Sequence, residues 1–339
     1  IQPDEWKIIE EGFDPDRVKS SESIFSLGNG SMGHRANFEE KYTGSSFQGS
    51  YVAGVYYPDK TRVGWWKNGY PDYFAKVLNA PNWIGIDVQV NGEPIDLNTA
   101  TIHSFTRVLD MQAGVYTRDV VLTTPNGVKL KIKAVRFLAM FQQELGCIKY
   151  SIQLYDQGAE LTVSPYVDGN IKNIDSNWDD PFWELKDQQC DRNFAYLHSR
   201  TIKSNFDVIS YQAVSFSIDG KQTKDFSCEQ NEGHISFVYQ TELLTNQTLV
   251  VEKMGGYCSS LQQPVDKLPS HVQKIALDAL NKGIDNLLKA QKSSWENIWK
   301  TADIIIGGDI KAQQGIRFNI FQLNQTYTGN NPQLNIGPK

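Results

Sequence analysis

The sequence predicts a mainly β protein, a large antiparallel β-sandwich followed by helices, on three observations. Between residues 80 and 260, short stretches alternate apolar and polar residues at period two, as strands with one buried face do. Asn91-Gly92 and Asn126-Gly127 each separate two such runs, and a type I′ hairpin requires positive φ at both central residues. After Pro264 the apolar period becomes that of a helix. Many short strands with turn signals about every ten residues indicate a sandwich or barrel, and a span of about 260 residues needs two large sheets with long loops.

Taken in order, the first distinctive stretch is Ser26-Leu-Gly-Asn-Gly-Ser-Met-Gly33, a literal G-x-G-x-x-G at Gly28, Gly30 and Gly33. A dinucleotide fingerprint needs a strand before it, a helix after it and an acid roughly 20 residues on. The preceding SSESIFSL reads as a modest strand, but HRANFEEKYTGSSFQGSY has no apolar residues at helical spacing. The glycines therefore read as a turn that needs positive φ or a close backbone approach. Next, Ile86, Val88 and Val90 share one face, and Val128, Leu130 and Ile132 alternate with lysines. CIKYSIQLY, AELTVSPYV, YQAVSFSIDG, HISFVYQTELL and QTLVVEKMGGY continue the pattern.

In the helical part, Val272, Ile275, Ala276, Ala279, Leu280, Ile284, Leu287 and Leu288 recur at i, i+3, i+4 behind Ser270 as N-cap, with Gly283 a soft point. Trp295, Ile298 and Trp299 extend the helix, and ADIIIGGD reads as a short strand broken at Gly307-Gly308. A last helix over 312–327 exposes Ile316, Ile320, Phe321 and Leu323, an apolar face in need of a partner. The expected division is a sandwich over 1–264, a helical linker over 265–302 and the opening of a further helical region over 303–339. The chain stops as that region begins, which is odd for a complete protein.

A net charge of −6 argues against a nucleic-acid partner, which needs a clustered basic field. With no run of eighteen apolar residues, no membrane span is expected. The chain starts at IQPDEW without a signal pattern, which suggests the cytoplasm; a segment removed before residue 1 would leave no trace, so the periplasm stays the alternative. Cys147, Cys190, Cys228 and Cys258 show no C-x-x-C and read as reduced, buried thiols. His34, His103, His198, His234 and His271 are scattered without ligand spacing, so no metal site is expected.

Aromatic density is the strongest chemical signal. RVGWWKNGYPDYFAKVLNAPNW sets Trp65, Trp66, Tyr70, Tyr73, Phe74 and Trp83 among Gly, Asn, Pro and Lys, the composition of a loop. Tryptophan faces stack on sugar C–H surfaces, while Lys67 and Asn68 offer hydrogen bonds to hydroxyls; the same rings would equally cap the sandwich or fill a subunit contact. DSNWDDPFWELKD gathers Asp175, Asp179, Asp180 and Glu184 around Trp178 and Trp183. Glycosidic chemistry uses two carboxylates about 5 to 10 Å apart, but an acidic loop is more often simply solvated. Glu39-Glu40 raises the same idea, against the plainer reading of an arginine partner such as Arg35.

Together EGFDP, ESIFSLGNGSMGHRANFEE, GSYVAGVYYPDKTRVGWWKNGYPDYF, NAPNWIGI, AQQGIRFNIFQLNQTY and LNIGPK resemble the amino-terminal half of glycoside hydrolase family 65. The resemblance covers essentially the whole chain, with residues 140–260 matching only in pattern. It implies a galactose-mutarotase-like super-sandwich, a helical linker and, over 303–339, the start of a truncated (α/α)6 catalytic barrel. It further implies an inverting phosphorylase of the maltose type, converting maltose and phosphate to β-glucose 1-phosphate and glucose. No cofactor is implied, inorganic phosphate being a co-substrate, and the partners are the disaccharide and a second copy in a homodimer. Other members of the family would act on kojibiose, nigerose or trehalose, or hydrolyse; a stand-alone carbohydrate-binding sandwich is the reading from a different class. The general acid is expected beyond residue 339, leaving Trp65, Trp66, Lys67, Asn68, Tyr70 and Arg317 as substrate-binding candidates. For Arg317, a salt-bridged helix residue is the plainer reading.

Overall fold

The computed structural model describes residues 1–61, 69, 71–174, 181–331 and 334. Its centre is a ten-stranded antiparallel sheet. From one edge the order is Lys7–Glu11, Thr101–Asp110, Val115–Thr123, Lys129–Leu138, Gly146–Leu154, Thr248–Ser259, Asp207–Ile218, Phe194–Thr201 and Trp183–Asp191, with Lys221–Thr223 added beside Asp207–Ile218. A second sheet of five strands, in the order Ser227–Asn231, His234–Leu243, Ala159–Asp168, Ile86–Val90 and Glu93–Pro94, lies over its inner face. Period-two alternation sends Val120, Ile132, Ile152 and Val251 inward to meet Val88, Leu161, Val163 and Phe237. Ile86–Val90, Gly146–Leu154, Ala159–Asp168 and His234–Leu243 fall on alternating stretches of the sequence, whereas Thr101–Asp110, Trp183–Asp191 and Phe194–Thr201 lie outside them.

The outer face of the large sheet is also apolar, and helices cover it. Phe137, Cys147, Tyr211, Met254 and Cys258 pack beneath Leu268, Val272, Ala276 and Ala279 of helix α2 (Leu268–Lys282). Helix α3 (Ile284–Ala302) continues the cover through Ile284 and Leu287. Gly283, with φ of 74°, ends α2 and begins α3, so the soft point is a full break. Ser270 does not cap α2: the helix starts at Leu268, and the Ser270 hydroxyl donates to the Lys267 carbonyl from within the first turn. A last helix, α4 (Ile310–Thr326), is capped by Asp309, whose carboxylate accepts the N–H groups of Lys311 and Ala312. ADIIIGGD forms no strand, since 303–306 find no neighbour to pair with. Upstream of the glycines, Val18–Ile24 is a short helix, α1, rather than a strand; it buries Val18, Ser21 and Glu22, one face at i, i+3, i+4.

The two Asn-Gly turns differ. Asn91 (φ 49°) and Gly92 (φ 80°) both have positive φ, as a type I′ hairpin needs. At the second turn only Gly127 (φ 85°) does, because Pro125 favours a type I turn in which Gly127 N–H closes on the Thr124 carbonyl at 2.9 Å.

Two of the four cysteines depart from the expected reduced state. Cys147 and Cys258 are free and buried, but Cys190 and Cys228 form a disulfide. Trp183–Asp191 and Ser227–Asn231 are edge strands of the two different sheets, and Gln188 already bridges them by bonding to Asn231 and Gly233. Distant in sequence order of the strands, the two thiols meet because the sandwich closes there.

Candidate functional site

Tyr56–Lys60 and Tyr73–Val77 pair as a two-stranded arm, and Thr61 extends it by donating from its N–H to Asp72 and from its hydroxyl to Pro71. This arm carries the aromatic loop. Trp65, Trp66, Lys67, Asn68 and Tyr70 lie outside the described residues; within the loop, Gly69 has φ of 81°. The base is anchored: buried Tyr57 packs edge-on against Phe182 at 4.5 Å between centroids, with the Lys203 ammonium 4.7 Å from its ring. Asp59 and Lys76 are both buried, 3.9 Å apart. Tyr73 and Phe74 stay exposed, so the arm is rooted in the sandwich and remains aromatic at its surface. Asp175, Asp179, Asp180 and Trp178 also lie outside the described residues. Glu184 opens an exposed edge strand and pairs with Lys186 at 2.7 Å, while Trp183 donates its indole N–H to the Asn79 carbonyl.

The glycine-rich turn is the seat of α4. Gly28 N–H donates to the Gln325 side-chain oxygen at 2.9 Å and Gly30 N–H to the Gln325 carbonyl at 2.8 Å. A Cβ on Gly28 would lie 2.8 Å from that carbonyl oxygen, and one on Gly30 would lie 2.7 Å from the Thr328 hydroxyl. These glycines let a helix end approach the backbone, the close-approach reading of the motif. Phe321, expected to be exposed, is instead fully buried and stacks on Trp295 at 4.5 Å, because α3 supplies a ring at the matching position. Leu323 does remain 70% exposed, and Ile305 in the connector is 81% exposed.

Arg317 belongs to this seat. Its guanidinium grips both oxygens of Asp303 at 2.8 and 2.9 Å, donates to the Glu5 carbonyl at 3.2 Å and lies 3.6 Å over the Trp6 ring. Gln314 adds bonds to the carbonyls of Gln2 and Lys7. The amino-terminal strand and α4 are thus tied by side-chain hydrogen bonds that span nearly the whole chain length.

Glu39 and Glu40 sit inside the sandwich. Arg118 bridges both at 2.6–2.7 Å, Arg136 stands 3.4 Å from Glu39, and the Tyr150 hydroxyl donates to Glu40. Arg35 is not their partner; it faces Glu22 at 3.8 Å. Burial pushes the Glu39 carboxyl up, but the Arg136 and Arg118 guanidiniums outweigh it and hold the group below its usual range. A carboxylate so paired has no proton to give, so this pair holds the sandwich together rather than serving acid chemistry. Nearby, His34 is buried with its Nε2 accepting from the Trp83 indole N–H at 2.9 Å and its Nδ1 on the Ser50 hydroxyl at 2.8 Å. Since indole only donates, the neutral ring carries its proton on Nδ1. Burial first, and then the Arg136 charge, push its pKa well below the usual histidine value.

Residues 8–298 match the model of glycosyl hydrolase family 65, N-terminal domain. The chain belongs to glycosyl hydrolase family 65. It is 38% identical to the maltose phosphorylase of Bacillus subtilis (strain 168), covering 99% of this chain and 44% of that protein. It is 31% identical to the α,α-trehalose phosphorylase of Thermoanaerobacter brockii, again over 99% and 44%. A solved structure from the human microbiome, provisionally named a kojibiose phosphorylase, superposes with a TM-score of 0.89 at 26% identity, covering 99% of this chain and 43% of that one. The chain spans less than half the length of these family 65 relatives. Sequence reasoning missed the seat formed by Gln325, Thr328 and the Trp295–Phe321 stack; the one signal pointing to it is a glycine triplet that no nucleotide site explains.

Proposed function

We propose that the full-length protein is an inverting disaccharide phosphorylase, of which these residues form the sandwich, the linker and the first barrel helix. The observation that carries this is the 99% coverage of the chain by two curated phosphorylases, at 38% and 31% identity. On this reading a carboxylic acid beyond residue 339 protonates the departing oxygen while phosphate attacks from the opposite face. Inorganic phosphate is the co-substrate. Maltose is the leading disaccharide, on the higher identity; phosphorolysis of trehalose or kojibiose is supported by relatives at 31% and 25%. The sandwich braces the barrel through the seat of α4, and we divide the chain into the same three parts, 1–264, 265–302 and 303–339.

Within this reading, Trp65, Trp66, Lys67, Asn68 and Tyr70 border the sugar site or the contact of a homodimer. Arg317 acts as a latch on α4, which its Asp303 and Trp6 contacts support. The Cys190–Cys228 disulfide favours folding in an oxidising compartment over the cytoplasm. Incubating the full-length protein with phosphate and each of maltose, trehalose, kojibiose and nigerose assigns the linkage: maltose should give the highest kcat/KM, and a preference for another disaccharide would reassign it. Trp66→Ala should raise KM for the disaccharide or loosen the dimer; no change in either would remove the loop from both roles.

A further inference from the structure

Where α2 lies on the outer face of the large sheet, three side chains from separate parts of the chain meet. Glu144 precedes the strand Gly146–Leu154, Cys258 lies near the end of Thr248–Ser259, and His271 is in the first turn of α2. A carboxylate oxygen, the thiol sulfur and an imidazole nitrogen all fall within 4.8 Å of one another. Glu144 Oε1 and His271 Nε2 are 3.5 Å apart. Two ligands bound tetrahedrally to one first-row ion at roughly 2.0–2.2 Å lie about 3.4 Å apart, so this spacing already suits a shared ion.

The surroundings hold the carboxylate in place. Gln142 donates to Glu144 Oε2 at 2.5 Å and the Tyr211 hydroxyl donates to the Glu144 carbonyl at 3.0 Å, which leaves Oε1 facing the imidazole. Outer hydrogen bonds of this kind orient metal ligands. His271 Nε2 is buried and makes no hydrogen bond, a state that costs stability unless something meets it. The Glu144 and His271 side chains are 12% and 31% exposed, whereas Cys258 is fully buried, so the cluster is closed beneath and open above. His271 also lines a groove of about 320 Å³ with Phe141, Gln142, Lys274 and Asp278, so the imidazole side of the cluster borders open space.

We propose that Glu144, Cys258 and His271 bind a zinc-class divalent cation, with the fourth position taken by water from the groove. The thiolate and imidazole select a borderline first-row ion over magnesium or calcium, which prefer oxygen alone. Binding displaces the Cys258 proton to solvent and forms the metal–sulfur bond, with no change of oxidation state. The ion ties the first turn of α2 to the sheet.

The test is Co2+ titration of the full-length protein after chelator treatment. A thiolate-to-cobalt absorption band should grow to one equivalent and be displaced by Zn2+. Cys258→Ser should abolish it, Cys147→Ser should keep it, and Glu144→Gln and His271→Asn should weaken binding roughly tenfold or more. His271 is partly exposed, so His271→Asn should keep the metal-free melting temperature while losing the rise that Zn2+ gives the parent. Absence of the band, or a band that survives both Cys258→Ser and His271→Asn, overturns the proposal.

Discussion

His34 shows how one residue couples the sandwich to pH. Its neutral ring is held between a donor at Trp83 and the Ser50 hydroxyl, and its pKa lies well below the unfolded value. The unfolded chain therefore takes up this proton first as pH falls. The contribution is intact above about pH 6.5 and is lost below it, at a slope approaching 1.4 kcal/mol per pH unit. Urea unfolding of wild type and His34→Gln from pH 7 to 5 should show a steeper decline in the wild type; parallel curves would contradict the buried neutral histidine. Glycines also show what is legible at this scale. Gly92 announces itself through Asn-Gly and a φ that only glycine accepts readily, whereas Gly28 has an ordinary φ and matters only through its distance to Gln325. Residue patterns reveal the first kind of constraint and hide the second. Glu144, Cys258 and His271 are hidden in the same way, because no short spacing links residues that three different elements bring together.

Among the elements, α4 is the informative one. Its existence is readable from Ile316, Ile320 and Phe321, but its partner is not, because Phe321 finds Trp295 on a neighbouring helix and Gln325 finds a turn near the start of the chain. Periodicity tells which face is apolar and is silent on what covers it. Phe321→Ala should cost about 3 kcal/mol of local stability or more, and Gly28→Ala should push the helix end off its seat. Hydrogen exchange over 310–326 should rise in both variants while the strands of the large sheet stay protected. Unchanged exchange in α4 would mean the seat does not hold it. The strands Gly146–Leu154 and Ala159–Asp168 are legible for the opposite reason: buried and more exposed positions alternate along each. The edge strand Trp183–Asp191 escaped that reading because its core-facing residues, Trp183, Leu185 and Cys190, are thrown out of period two by the irregularity between Leu185 and Asp187.

Across the whole molecule, a sandwich whose helical face is partly covered fits a chain that spans less than half of its family 65 relatives. Ile304, Ile305, Ile310 and Leu323 are exposed in and just before α4, and on the proposed reading a catalytic barrel would cover them. At the opposite edge, Cys190 and Cys228 close a loop of 38 residues across the two sheets. Loop-closure entropy gives this link about 4 kcal/mol at most. Mild reduction should lower the melting temperature by several degrees and Cys190→Ser should do the same without reductant; an unaffected wild type would mean the link adds nothing. Phosphorolysis is followed by ¹H NMR of the full-length protein incubated with maltose. β-Glucose 1-phosphate and glucose should form in equal amounts, and only when phosphate is present. Equal cleavage without phosphate, or release of the α anomer of glucose 1-phosphate, would contradict it.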